Sequence, residues 1–332
     1  MEERYTVIVS APDADACVAA ALAGRACDGP VESAVFSSED LVQFFRPVTQ
    51  QKLPRGYDLL FCGPGVAHLD WDGRLVRPRL MEHLRKFIGA LRWFSNVPWA
   101  PEDRRAVAHL IGEGNLTVSE TAPSLTALVR DACFDRCDEY EEALVRFASG
   151  RLTEQEEGAW GAGLRKVLTV LKGDRHALAS AVADVMEGRI EPLIARHAEG
   201  AERTETENRR FAGENAREPS QMGSIKLVRL SVPLAMHAFW EEVGRYAREA
   251  SDAELSLCRL EGRPVLLLAC AEKVRTDLRA WARYVTDMLP GSRTVGARAR
   301  VVPLMVEGLA EDAALEEEVL ALLADGAHLL RG

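Results

Sequence analysis

The chain has 332 residues, 47% hydrophobic and 28% charged, long enough for two domains and balanced like a globular protein. A formal net charge of −10 argues against a general basic surface for nucleic acid, although a local groove stays open. The absence of an apolar run of about 18 residues argues against a transmembrane helix, and no membrane partner is expected.

The opening MEERYTVIVS is charged and then enters a strand, unlike a signal peptide. Residues 5–10 read as a buried strand and 14–26 as an Ala-rich helix packed against it. VESAVF at 31–36 is a second strand, and SSED at 37–40 is a serine-capped helix start. YDLLFCG at 57–63 is a third strand, continuous and apolar as in a parallel sheet. A helical repeat covers 78–90, with Pro78 allowed in its first turn, and LRWFSN at 91–96 is a fourth strand. Strands alternating with helices predict right-handed βαβ units and a doubly wound, mostly parallel sheet. Its functional crevice would lie at the carboxyl ends of the strands, where Asp13, Asp15, 63–65 and 95–97 fall.

From about 131 to 222 the pattern is helical and acidic, and the polar stretch 201–223 reads as a solvated helix or a linker. A second α/β block follows. Its strands are IKLVRLSV, then ELSLCRLEG and RPVLLLACAEK as a hairpin, then RARVVPLMV; helices lie between and after them, the last closed by Gly326. The seven cysteines sit largely in apolar stretches and predict reduced, packed thiols in a cytoplasmic protein. Cys133 and Cys137 would share a helix face, a weak zinc signal without a second pair.

Four stretches carry candidate chemistry: SAPDADACVAAA after the first strand, DLLFCGPG ending the third, LRWFSNVPW ending the fourth, and PGSRTVGARARVV near the C-terminus. Taken alone, Asp13 and Asp15 leave two readings open. Carboxylates in a strand-to-helix turn hold a metal, or they cap the helix and favour its dipole. In order of elements and in these stretches the chain resembles the DHH phosphoesterases. That family includes exopolyphosphatases, pyrophosphatases, nano-RNA and cyclic-dinucleotide phosphodiesterases and single-strand exonucleases. The resemblance implies an N-terminal DHH-like domain at 1–130, a helical connector at 131–222 and a smaller, mixed-sheet DHH-associated domain at 223–332. It also implies two manganese or magnesium ions at the strand ends of the first domain, with substrate between the domains.

The first family motif, H-x-D-x-D-(G/A), is matched at Asp13 and Asp15, with Ala11 at the histidine position. The second-motif aspartate falls on Cys62 or Gly63. Ser95, Asn96 and Val97 stand where Asp-His-His gives the family its name, and Pro98 matches its proline. In the Gly-Gly-His substrate loop, Gly291 matches, while Ser292 and Arg293 replace a glycine and the histidine. Arg293, Arg298 and Arg300 would lie where the family binds phosphates.

Two divalent ions about 3.5–4 Å apart need several carboxylates and imidazoles. Asp13 and Asp15 alone do not supply them; Ser95 and Asn96 add weak neutral oxygens, and one hydrated ion is the most expected. His68, Asp70 and Asp72 repeat the H-x-D-x-D-G spacing and form a candidate relocated metal site, or else a turn around Gly73. The expected function is a phosphoesterase-like protein that binds a phosphate-containing small molecule, a short oligonucleotide or a partner, with weak or no hydrolysis. The alternative is an active manganese- or magnesium-dependent phosphoesterase with rearranged ligands. A homodimer is left open.

Overall fold

The computed structural model describes residues 5–46, 56–66, 75–97, 99–222, 225–271, 277–294, 300–312 and 314–331. Two compact units divide the chain, Met1–Ala201 and Glu202–Gly332. Among the described residues no helix is long and apolar enough to cross a membrane.

The first unit is built on β1 (Tyr5–Ser10), β2 (Val31–Val35), β3 (Tyr57–Cys62), β4 (Leu91–Ser95) and β5 (Leu116–Val118). They form one sheet in the order β2-β1-β3-β4-β5, and every neighbouring pair is parallel. Burial on both faces explains the unbroken apolar run in β1. Ile8 joins one core with the first helix, while Val7 and Val9 join another with Phe44, Phe61, Leu80 and Trp93.

The first helix, α1 (Ala14–Arg25), is buried from Ala16 through Gly24, so it is apolar nearly all round. Its alanines let neighbours approach closely. Leu125 and Val129 pack in the same core as Leu144, Phe147, Leu164, Val182 and Val185 of the helices that follow. Of the helices expected here, 78–90 is shorter, Arg77–Lys86, with Pro78 in its first turn. The helix Pro101–Ile111 and strand β5 were not anticipated by the pattern. The helix carrying Cys133 stops at that residue, so Cys133 and Cys137 do not share a helix face; all seven cysteines are free. The polar stretch after 201 continues the helix Ile190–Asn215, with Ala201, Asn208 and Ala212 buried.

The second unit holds β6 (Ser220–Met222), β7 (Ile225–Val232), β8 (Leu255–Leu260), β9 (Val265–Cys270), β10 (Ser292–Thr294) and β11 (Val301–Val306). The order is β10-β11-β9-β8-β7-β6, parallel between β7 and β8 and antiparallel elsewhere, with the expected hairpin at β8–β9. Leu227, Leu257, Leu268 and Val302 form the core with the helices Leu278–Met288 and Ala314–Asp325. The helix Trp240–Ser251 packs on β7, β8 and β9.

Candidate functional site

Strand register brings the candidate residues to one sheet edge. Ser10 pairs with Cys62, Cys62 with Phe94, and Ser95 with Val118, so β1, β3, β4 and β5 end side by side. Such a carboxyl edge is where open α/β sheets place their sites.

Asp13 is the N-cap of α1, in an extended conformation, and its Oδ1 accepts the Ala16 N–H at 2.9 Å. Asp15, in the first turn of α1, points across to the start of the helix Leu125–Cys133. Its Oδ1 accepts from the Thr126 N–H at 2.9 Å and the Thr126 hydroxyl at 2.8 Å. Its Oδ2 accepts from the Leu125 N–H at 2.6 Å and the Asn96 amide at 3.3 Å. Ser124 caps the same helix by accepting the Ala127 N–H at 3.0 Å. The orphan N–H groups of that first turn are thereby shared between a local cap and a distant carboxylate. Burial, and then the neighbouring Asp13 charge, push the Asp15 pKa up to about 6, against the pull of the Leu125 and Thr126 hydrogen bonds.

The neighbouring positions are apolar or already bonded. Gly63 has φ +94°, and a Cβ there would stand 2.9 Å from the Ala16 Cβ, 3.2 Å from the Ala11 Cβ and 3.2 Å from the Leu125 Cδ2. Positions 11, 16, 63 and 125 therefore close on one another. Ser95 is fully buried, and its Oγ accepts from the Trp99 indole N–H at 3.1 Å and the Val97 N–H at 3.4 Å. The 63–65 segment is a tied-down turn: the Gly65 N–H donates to Ser38 Oγ at 2.7 Å, and the Trp93 indole donates to the Pro64 carbonyl at 2.7 Å. Trp93 is fully buried, with Trp99 edge-on to it at 5.1 Å.

The structure thus brings Asp15 and Asn96 into contact, with Asp13 and Ser95 on the same edge. His68, Asp70, Asp72 and Pro98 lie outside the described residues, as does Arg298. Among the described residues no group of three or more His, Cys, Asp or Glu side chains is placed to hold a metal ion. In the second unit Gly291 has φ +79° and precedes β10. The Ser292 hydroxyl donates to the Leu289 carbonyl at 2.7 Å, and Arg293 points at the Met305 sulfur at 3.7 Å. Sequence reasoning missed Leu125 and Thr126 as partners of Asp15. The serine before an apolar helical run at 125–133 was the available signal for the helix start, but nothing local joins it to residue 15.

No protein-family model matches the sequence, and no curated protein does. Solved structures do. A DHH-domain protein described as a member of the s1p family of ribosomal proteins superposes with a TM-score of 0.64 at 12% identity, over 99% of this chain and 88% of that one. RecJ from Thermus thermophilus, in complex with Mn2+, superposes with a TM-score of 0.58 at 12% identity, over 98% of this chain and 52% of that one. This chain spans about half the length of that RecJ chain. At such identities the likeness is one of fold. With a parallel five-stranded sheet in the first unit and a mixed six-stranded sheet in the second, the chain has the fold of the DHH proteins.

Proposed function

We propose that this chain uses a DHH-type scaffold to bind a phosphate-bearing small molecule or short oligonucleotide, with weak or no phosphoesterase activity. The carrying observation is the state of Asp15: both carboxylate oxygens already accept two hydrogen bonds each, from Leu125, Thr126 and Asn96. A carboxylate so engaged gives up charge-assisted bonds to bind a cation. The surrounding donor set does not fit a paired divalent centre. Ala11 and Gly63 offer no side-chain ligand, Ser95 Oγ is bonded to Trp99, and Asn96 turns its amide nitrogen toward Asp15. Asp13 retains one carboxylate oxygen beyond its cap bond, enough for a single hydrated Mn or Mg ion that keeps most of its waters. The manganese held by the RecJ neighbour belongs to that protein.

The test is manganese titration by calorimetry on the purified full chain, followed by turnover assays. Pyrophosphate, short polyphosphate, cyclic dinucleotides and dinucleotides would be supplied with manganese. Weak binding, lost in Asp13→Ala, and no phosphate release are expected. Tight binding of two ions per chain, with hydrolysis abolished by chelator and restored by manganese, would refute the proposal.

A further inference from the structure

On one face of the first sheet two neighbouring helices turn a basic surface to solvent. Between residues 75 and 109 seven Lys and Arg stand against three Asp and Glu, in a chain whose net charge is −10. The helix Arg77–Lys86 buries Leu80, Met81 and Leu84 in the core that holds Phe61 and Trp93, and it exposes Arg79, Glu82, Arg85 and Lys86. The helix Pro101–Ile111 buries Val107 in the same core and exposes Arg104 and Arg105. An ion pair between Arg77 and Asp103, at 2.5 Å, ties the two helices together, and Lys86 is paired with Glu82. Arg79, Arg85, Arg104 and Arg105 have no ion-pair partner among the described residues.

Apolar side chains flank this basic surface. Of the four large hydrophobic side chains exposed among the described residues, Leu75, at 54%, precedes the helix Arg77–Lys86, and Ile88, at 97%, follows it. By itself an exposed isoleucine is ordinary. Two residues beyond Lys86 and beside unpaired cations, it makes a surface of two chemistries.

We propose that the outer face of these two helices docks on the surface of an anionic lipid bilayer. The unpaired guanidiniums meet lipid phosphates, while Ile88 and Leu75 enter the boundary of the acyl chains. At physiological ionic strength charges farther than about 8 Å are largely screened, so the acidic remainder of the chain does not cancel the local attraction. A nucleic-acid strand would pair with the arginines but leave Ile88 in water. A protein partner would need a preformed hole opposite each apolar tip, whereas a bilayer opens wherever a tip lands. A surface contact needs no spanning helix, and none is present among the described residues. None of these side chains belongs to the Asp13–Asp15 edge, so docking stands or falls apart from the proposed function.

The experiment is sedimentation of the full chain with vesicles of equal parts phosphatidylglycerol and phosphatidylcholine, against vesicles of phosphatidylcholine alone. A single-stranded oligonucleotide and polyglutamate are the competing probes. In about 0.1 M salt wild type should pellet with the anionic vesicles only, and about 1 M salt, where the screening length falls to about 3 Å, should release it. Arg104→Gln with Arg105→Gln should weaken the partition coefficient roughly twenty-five-fold, since each cation near the surface contributes about fivefold. Arg79→Gln with Arg85→Gln, on the other helix, should do the same, so a folding defect in one pair cannot mimic the result. Ile88→Ser should weaken partitioning about tenfold and leave its salt dependence unchanged. All these side chains are exposed, and the variants should melt with wild type. The proposal is overturned if wild type shows no preference for anionic vesicles, if either arginine pair or Ile88→Ser partitions like wild type, or if the arginines bind the oligonucleotide or polyglutamate and not the vesicles.

Discussion

Replacing Asp15 by asparagine tests whether its carboxylate is a structural clamp. The side chain keeps its shape, but one oxygen becomes an amide nitrogen. Whichever way the amide turns, an NH2 group meets donors. It faces either the Thr126 N–H and hydroxyl, or the Leu125 N–H and the Asn96 amide. At least one buried backbone N–H at the start of the helix Leu125–Cys133 is left without an acceptor, which costs about 1–3 kcal/mol. Loss of charge-assisted bonds adds to this, and relief of the buried charge beside Asp13 subtracts from it. Because the two effects oppose each other, the expected net loss at pH 7.5 is only about 1 kcal/mol in the first unit. Asp13→Ala loses a single bond at a half-buried cap and should cost about 1 kcal/mol. Urea unfolding followed by calorimetry would separate the two units, and Trp93 provides a buried reporter in the first. An Asp15→Asn protein as stable as wild type or more so would refute the clamp.

Two further outcomes are expected. Gly63→Ala places a methyl group 2.9 Å from the Ala16 Cβ on a backbone with φ +94°, and should destabilise the first unit by at least about 2 kcal/mol; equilibrium unfolding with an unchanged midpoint would contradict the close packing there. The pH dependence follows from Asp15. Its carboxyl is raised from 3.8 to about 6 on folding, so the folded state binds that proton more tightly than the unfolded state. The contribution is fully present below about pH 4 and is lost as pH rises through 6, amounting to roughly 3 kcal/mol at most. The stability gap between wild type and Asp15→Asn should therefore narrow between pH 4 and pH 6.5 and stay flat above. A gap that widens with pH would show that the hydrogen bonds outweigh burial.

Much of the architecture was legible in one dimension. β1 and β3 are buried on both faces, so their apolar runs are continuous, and the β8–β9 hairpin is marked by a short Glu-Gly-Arg turn between two apolar strands. Asp13 as a cap was readable as one of two alternatives, because its partner, Ala16, is three residues away. β5 escaped because three residues are too few to display an alternation. The helix Pro101–Ile111 fully buries only Val107, with Ala106, Leu110 and Ile111 partly buried beside it, so its apolar stripe is confined to its second half.

The sequence by itself determined the alternation of strands and helices, and with it the sheet edge where Asp13, Asp15 and Ser95 collect. Tertiary structure alone decided what those groups do there. Asp15 finds its partners 81, 110 and 111 residues away. Local propensities fix backbone shape over a few residues. Whether a charge meets an acceptor, a donor or neither depends on which distant elements pack against it.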